Sequence, residues 1–125
     1  MPPNAFPDIP PLVDLTVLAD LERQLNDPGP ARAFARDFIA GFGDRHLRLA
    51  RSVADEDLPA AVEAALSLRS SSIMVGAERL AALASSFEAA VTAADLDAAR
   101  RSLPDIEQCG FATIEELEAR YLDSV

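Results

Sequence analysis

Residues 65–83 read ALSLRSSSIMVGAERLAAL. Apolar residues recur there at intervals of three and four, on both sides of a small-residue run, Ser70-Ser71-Ser72, and a glycine, Gly76. That spacing is the signature of one face of an α-helix. A glycine closing such a run is a common helix stop. The stretch therefore predicts the end of one long helix, a tight corner and the start of a second. The rest of the chain is expected to pack against this pair.

The same period continues on either side. Leu15, Leu18, Leu21 and Leu25 predict a short first helix over residues 12–25, broken by Asn26-Asp27-Pro28-Gly29. Pro30 suits the first turn of a second helix, where its missing N–H costs nothing. Ala31, Phe34, Ala35, Phe38, Phe42, Leu49 and Val53 give that helix an apolar stripe to about residue 54, with a local bend expected at Gly41 and Gly43. Asp57 is placed to cap a third helix, whose inward face is read as Leu58, Ala61, Val62, Ala65, Leu68, Ser72 and Val75. A fourth helix is expected over residues 77–94, with Leu80, Leu83, Phe87 and Val91 facing in. Asp95 is the candidate cap of a fifth helix over residues 96–122, which Pro104 should kink or interrupt, and in which Gly110 marks either a close helix contact or a second break. Residues 1–11 carry five of the nine prolines and cannot be helical. They are expected to form an extended arm, with Phe6 and Ile9 able to pin it to the surface. The expectation is an all-α domain over residues 12–125. Its four main helices form an antiparallel up-down-up-down bundle behind a short N-terminal cap helix.

Composition narrows the function. The formal net charge is −10, which repels phosphate backbones and anionic lipid, so nucleic acid and membrane are poor partners. No apolar run approaches the roughly 18 residues of a membrane span. Residues 1–11 lack the basic start and apolar core of a signal peptide, so a cytoplasmic location is expected. One cysteine, Cys109, and one histidine, His46, leave no Cys/His metal site within one chain, and no phosphate loop or other cofactor motif is present. Neither a metal nor a cofactor is expected.

Residues 57–83 resemble the histidine-containing phosphotransfer (HPt) domain of bacterial phosphorelays. The core motif of that family is roughly A-H-x-L-K-G, a short run of small or apolar residues, and G-A-x-x-L. Ala65, Leu68, Gly76, Ala77 and Leu80 stand at the matching offsets. Residues 11–21 are similar to the family's opening cap helix, and Phe38 and Leu49 match apolar positions of its second helix. The resemblance implies an HPt-like bundle that partners a response-regulator receiver or a histidine kinase. It also exposes a departure. The phosphoaccepting histidine falls at position 66, and here that residue is Leu66. Phosphotransfer needs an imidazole nitrogen as nucleophile, and a hydrocarbon supplies none. Arg69 stands for the usual lysine and Ser70 for the usual glycine. The residues thus describe a degenerate member of the family, one that binds without carrying phosphate and is not an enzyme.

At about 100° per residue, Leu66 lies at the margin of the inward stripe of the third helix. Ile73 is near the same side, with Arg69 between them. This apolar rim beside a cation is the candidate docking face, with Ile39, Phe42, Val62, Leu66, Arg69, Ser70 and Ile73 as its lining. Two alternatives stand beside it. His46 lies roughly opposite position 66 when counted back from the corner, which would allow a working phosphotransferase with a relocated acceptor. It also sits on the apolar stripe, where a hydrogen-bonded core histidine is the ordinary outcome. The other alternative is a structural helical domain that forms a homodimer through the same patch.

Overall fold

The computed structural model describes residues 10–123. Five α-helices follow in order: α1 (Thr16–Leu25), α2 (Gly29–Ala54), α3 (Leu58–Met74), α4 (Glu78–Thr92) and α5 (Leu96–Leu117), closed by a π-helical turn (Glu118–Leu122). α2, α3, α4 and α5 form the expected antiparallel bundle. Each packs on the next along the chain, and α5 returns to α2, while α1 lies across α2.

The corners are specified locally. Each of α1 to α4 ends in one left-handed residue: Asn26 (φ 51°), Glu56 (φ 53°), Gly76 (φ 78°) and Ala94 (φ 59°). Around each, two reverse-turn hydrogen bonds satisfy the last helical carbonyls. At Gly76, its own N–H donates to Ile73 O (3.1 Å) and Ala77 N–H donates to Ser72 O (2.8 Å), and the other three corners repeat the pattern. The residue that completes a corner then opens the next helix. Asp57 accepts from Ala60 N–H, and Asp95 accepts from Ala98 N–H, each at 3.1 Å.

The core is aliphatic and aromatic. Leu18, Phe42, Leu49, Leu68, Leu80, Phe87, Ile106 and Leu117 are all fully enclosed. Gly110 makes the close contact that its inward position implied. A Cβ there would overlap the Phe42 ring, so α5 can approach α2 only without one. The buried hydroxyls of Ser72 and Thr113 donate to Leu68 O (2.7 Å) and Cys109 O (2.8 Å) within their own helices. A buried polar group can therefore sit in this core without penalty.

Several expectations are corrected. α1 begins at Thr16 rather than residue 12, because the Asp14 carboxylate accepts from the Thr16 hydroxyl (2.6 Å) and N–H (3.0 Å) and turns the chain there. Those two bonds hold the Asp14 carboxyl below the usual carboxylate range. Neither long helix is interrupted: α2 continues through Gly41 and Gly43, and α5 continues through Pro104. Pro104 is exposed and so is Arg100, whose carbonyl loses its partner, so water can replace that bond. Leu58 is not inward but on the surface, in the first turn of α3.

Two further contacts tie the bundle's ends. The expected N-terminal arm lies outside the described residues except for Pro10 and Pro11. There the chain is strapped across the α3–α4 corner: Asp14 N–H donates to Gly76 O (2.8 Å), Arg79 N–H to Pro11 O (3.1 Å) and Arg79 Nε to Pro10 O (3.1 Å). Gly76 also has no room for a Cβ, which would overlap the Asp14 carbonyl. At the other terminus, the Tyr121 hydroxyl donates to Glu22 on α1, and Arg32 of α2 donates to Leu122 O (2.7 Å) and lies 5.7 Å from the Tyr121 ring centroid.

Candidate docking site

α3 presents the site because its inner side is filled by small residues. Ala61, Ala64, Ala65, Leu68 and Ser72 are buried against the neighbouring helices. The opposite side is left to solvent. Val62, Leu66, Arg69, Ser70 and Ile73 follow one another at spacings of one, three and four, so they form a continuous outward strip. Leu66 is 41% exposed and Ile73 is 53% exposed, while Val62 is half-buried at the margin. Arg69 sits between the two apolar side chains, exposed, and makes no ion pair within the described residues. About two turns of helix thus offer two bare hydrocarbon side chains around one guanidinium.

The two α2 members of the expected face are elsewhere. Phe42 is 1% exposed, with its ring against Gly110 of α5 and 6.1 Å from that of Phe111. Ile39 lies seven residues before His46, within about 20° of it around the helix. His46 is turned to α5, where Nε2 bonds Leu103 O at 3.1 Å. Ile39 and Phe42 therefore belong to the α2–α5 side of the bundle. α5 lies diagonally across the bundle from α3, so His46 is directed away from Leu66 rather than opposite it. Counting back from the corner gave the right height on α2 but the wrong side.

Sequence reasoning missed Met74, 47% exposed and four residues after Ser70, which extends the strip at its C-terminal end. The signal is present, since residues 66, 70 and 74 keep helical spacing. Phe111 is also exposed, at 53%, although it abuts the buried Phe42.

Few groups near the strip can do chemistry. The hydroxyls of Ser71 and Ser72 both donate to Leu68 O, at 3.0 and 2.7 Å. Between α2 and α3, next to Ser67, a cavity of about 460 Å³ is lined by Arg48, Arg51, Asp55, Asp57 and Glu63. Its mixed charge suits water and counter-ions rather than one ligand. Burial pushes the Cys109 thiol up, away from the reactive thiolate. Among the described residues, no group of three His, Cys, Asp or Glu side chains could hold a metal ion, and no helix is long and apolar enough to cross a membrane.

The antiparallel helical bundle agrees with what comparison with known families finds. A search of curated proteins and a search of solved structures each gave no match. The family model described as Hpt domain matches residues 33–120, from the first turns of α2 to the π-helical turn. That span is well over half of the chain and takes in all four bundle helices, and the chain belongs to the Hpt-domain family.

Proposed function

We propose that this chain docks a response-regulator receiver or a histidine-kinase domain through the outward strip of α3, and that it does so without carrying phosphate. Family membership puts the chain in phosphorelay, two-component signalling. The finer reading rests on Leu66. It occupies the position of the phosphoaccepting histidine in the motif, it is 41% exposed, and it has no atom that can attack a phosphoryl group. The only histidine of the chain, His46, is half-buried and bonded to the Leu103 carbonyl. Exposed hydrocarbon beside a cation that has no ion pair among the described residues is suited to recognition. The apolar side chains supply buried area, and Arg69 can pair with an acidic partner surface.

Pull-down and titration against a panel of receiver and kinase domains test this reading. Leu66→Asp places a charge in the contact and should weaken binding at least tenfold, or about 1.4 kcal/mol, with the fold intact because the residue is at the surface. His46→Ala should leave binding unchanged. Incubation with a phosphorylated receiver should put no acid-labile, base-stable label on the wild-type chain. Binding indifferent to Leu66→Asp, or a label lost in His46→Ala, refutes the reading.

A further inference from the structure

Seven large apolar side chains among the described residues are exposed, and five of them belong to α1 or α3. The other two, Leu47 of α2 (43%) and Phe111 of α5 (53%), share the outer face of the α2–α5 seam. Each directly follows a residue turned to the other helix: His46 meets Leu103 of α5, and Gly110 meets Phe42 of α2. One residue is about 100° of helical rotation, so both side chains are carried from the seam to its outer side. Gly43 is exposed on the same face, four residues before Leu47. A glycine inside a helix is costly. Unlike Gly76 and Gly110, this one makes room for nothing in its own chain, since a Cβ there would meet no atom within 4 Å.

We propose that the α2–α5 face is the interface of a symmetric homodimer, with a second copy seated on it antiparallel to the first. A two-fold axis crossing the helices brings together residues equally far from it on opposite sides. On α5, an axis midway between Glu107 and Gln108 sets Phe111 on the partner's Pro104 and Arg100 beside the partner's Glu115, so that bulk meets a flat ring and plus meets minus. On α2, an axis at Arg45 sets Leu47 over the partner's Gly43, where the missing side chain gives it room. The two helices agree on one axis. Phe42 is level with Gly110, so Arg45, three residues on, is level with Glu107 of the antiparallel α5. Arg100, Pro104, Phe111 and Glu115 are all exposed, and Glu115 has no ion pair among the described residues. Arg100 holds only the exposed Asp97 of its own helix (3.1 Å), so its guanidinium can reach across as well. Over the 22 residues of α5 the face is about 30 Å long and about 20 Å wide. That is about 600 Å² per copy and about 1,200 Å² in the pair, at the lower end of specific interfaces. The α3 strip opens towards α4, where Ile73 shares a groove with Glu78 and Ala81. Both strips therefore stay uncovered, and the dimer carries two of them. The contact itself does not rest on the docking function proposed above.

Sedimentation equilibrium of the full chain across concentrations tests this. The 13.3 kDa chain should double its mass at high concentration and dissociate on dilution. Phe111→Glu and Leu47→Glu should each raise the dimer dissociation constant by about tenfold or more, with helical circular dichroism retained because both residues are at the surface. Glu115→Arg should weaken the dimer, and Arg100→Glu added to it should restore much of the loss. Gly43→Ala separates association from folding: it should raise Tm of the dilute monomer, as the better helix former, yet weaken the dimer. Leu66→Asp should leave the dimer unchanged. Three results overturn the proposal: a monomer at every concentration up to about 1 mM, a dimer indifferent to both Phe111→Glu and Leu47→Glu, or a dimer lost in Leu66→Asp, which would seat the second copy on the α3 strip. Receiver binding is read separately, so its failure leaves this contact untouched, and the reverse.

Discussion

Replacing Gly110 by alanine tests the packing of the bundle at its tightest point. The new methyl would overlap Cζ, Cε1 and Cε2 of Phe42. The ring would have to withdraw by on the order of 1.5 Å to reach normal carbon–carbon separation. It has nowhere to go, being 1% exposed and flanked by the rings of Phe38, His46 and Phe111 at 6.1–6.2 Å. Overpacking of this kind costs about 1–3 kcal/mol, and a contact this close belongs at the upper end. Alanine returns up to about 1 kcal/mol as the better helix former. The expected net loss is about 2 kcal/mol, read from urea unfolding followed by circular dichroism. Phe42→Leu alone should also destabilise, by about 1–2 kcal/mol, through the space it leaves. Combined, the two should be less harmful than their sum by at least about 1 kcal/mol, because the smaller side chain makes room for the methyl. If Gly110→Ala is neutral, or if the pair is additive to within about 0.5 kcal/mol, then Phe42 does not fill the space over Gly110 as described.

Two other predictions concern a corner and a titration. Ala94 carries φ 59°, so Ala94→Gly should stabilise by about 0.5–1 kcal/mol and raise Tm. Gly76→Ala, at φ 78° with no room for a Cβ, should do the reverse. Burial, then the hydrogen bond and charge of Glu22, push the Tyr121 hydroxyl up to about 12. Its proton therefore favours the folded state. That contribution is complete below the ordinary tyrosine value near 10, and is lost as pH rises from there through about 12. All eleven cationic side chains are arginine and the chain has a single tyrosine, so this window is almost free of other titrations. Tyrosinate absorbance should show the late ionisation, and Tyr121→Phe should flatten the stability profile above pH 10, leaving the slope that Cys109 contributes because burial pushes its thiol up.

What the sequence revealed, and what it hid, follows from how local each determinant is. Asp57 and Asp95 could be named as caps because an N-cap is decided within four residues. Gly76 and Gly110 could be named because a missing side chain has few uses. The corners at Glu56 and Ala94 could not be read as left-handed, since nothing in either side chain asks for that conformation and the helices on both sides impose it. The side of α2 on which Ile39, Phe42 and His46 lie was hidden for a related reason. Periodicity tells which residues share a face, but not which neighbour that face meets when a helix touches two. Met74 escaped because the inward stripe of α3 was followed to Val75 while the outward strip was followed only to Ile73. Pro104 does not interrupt α5, because its lost bond falls on the exposed side of the helix, where water can replace it.

The four long helices form a ring in which three joints link neighbours along the chain and one, between α2 and α5, links distant segments. The first three can assemble from short-range encounters, whereas the last must wait for the ring to close. Phe42 over Gly110 and the bond from Arg32 to the final turn lie along that one seam, and Glu22 of α1 holds the same final turn from outside it. It should therefore be the late event in folding and the first place where the barrel of helices breathes open, visible as faster amide exchange there than across the α3–α4 joint. The α3 strip lies diagonally opposite, on the part of the molecule that such opening disturbs least.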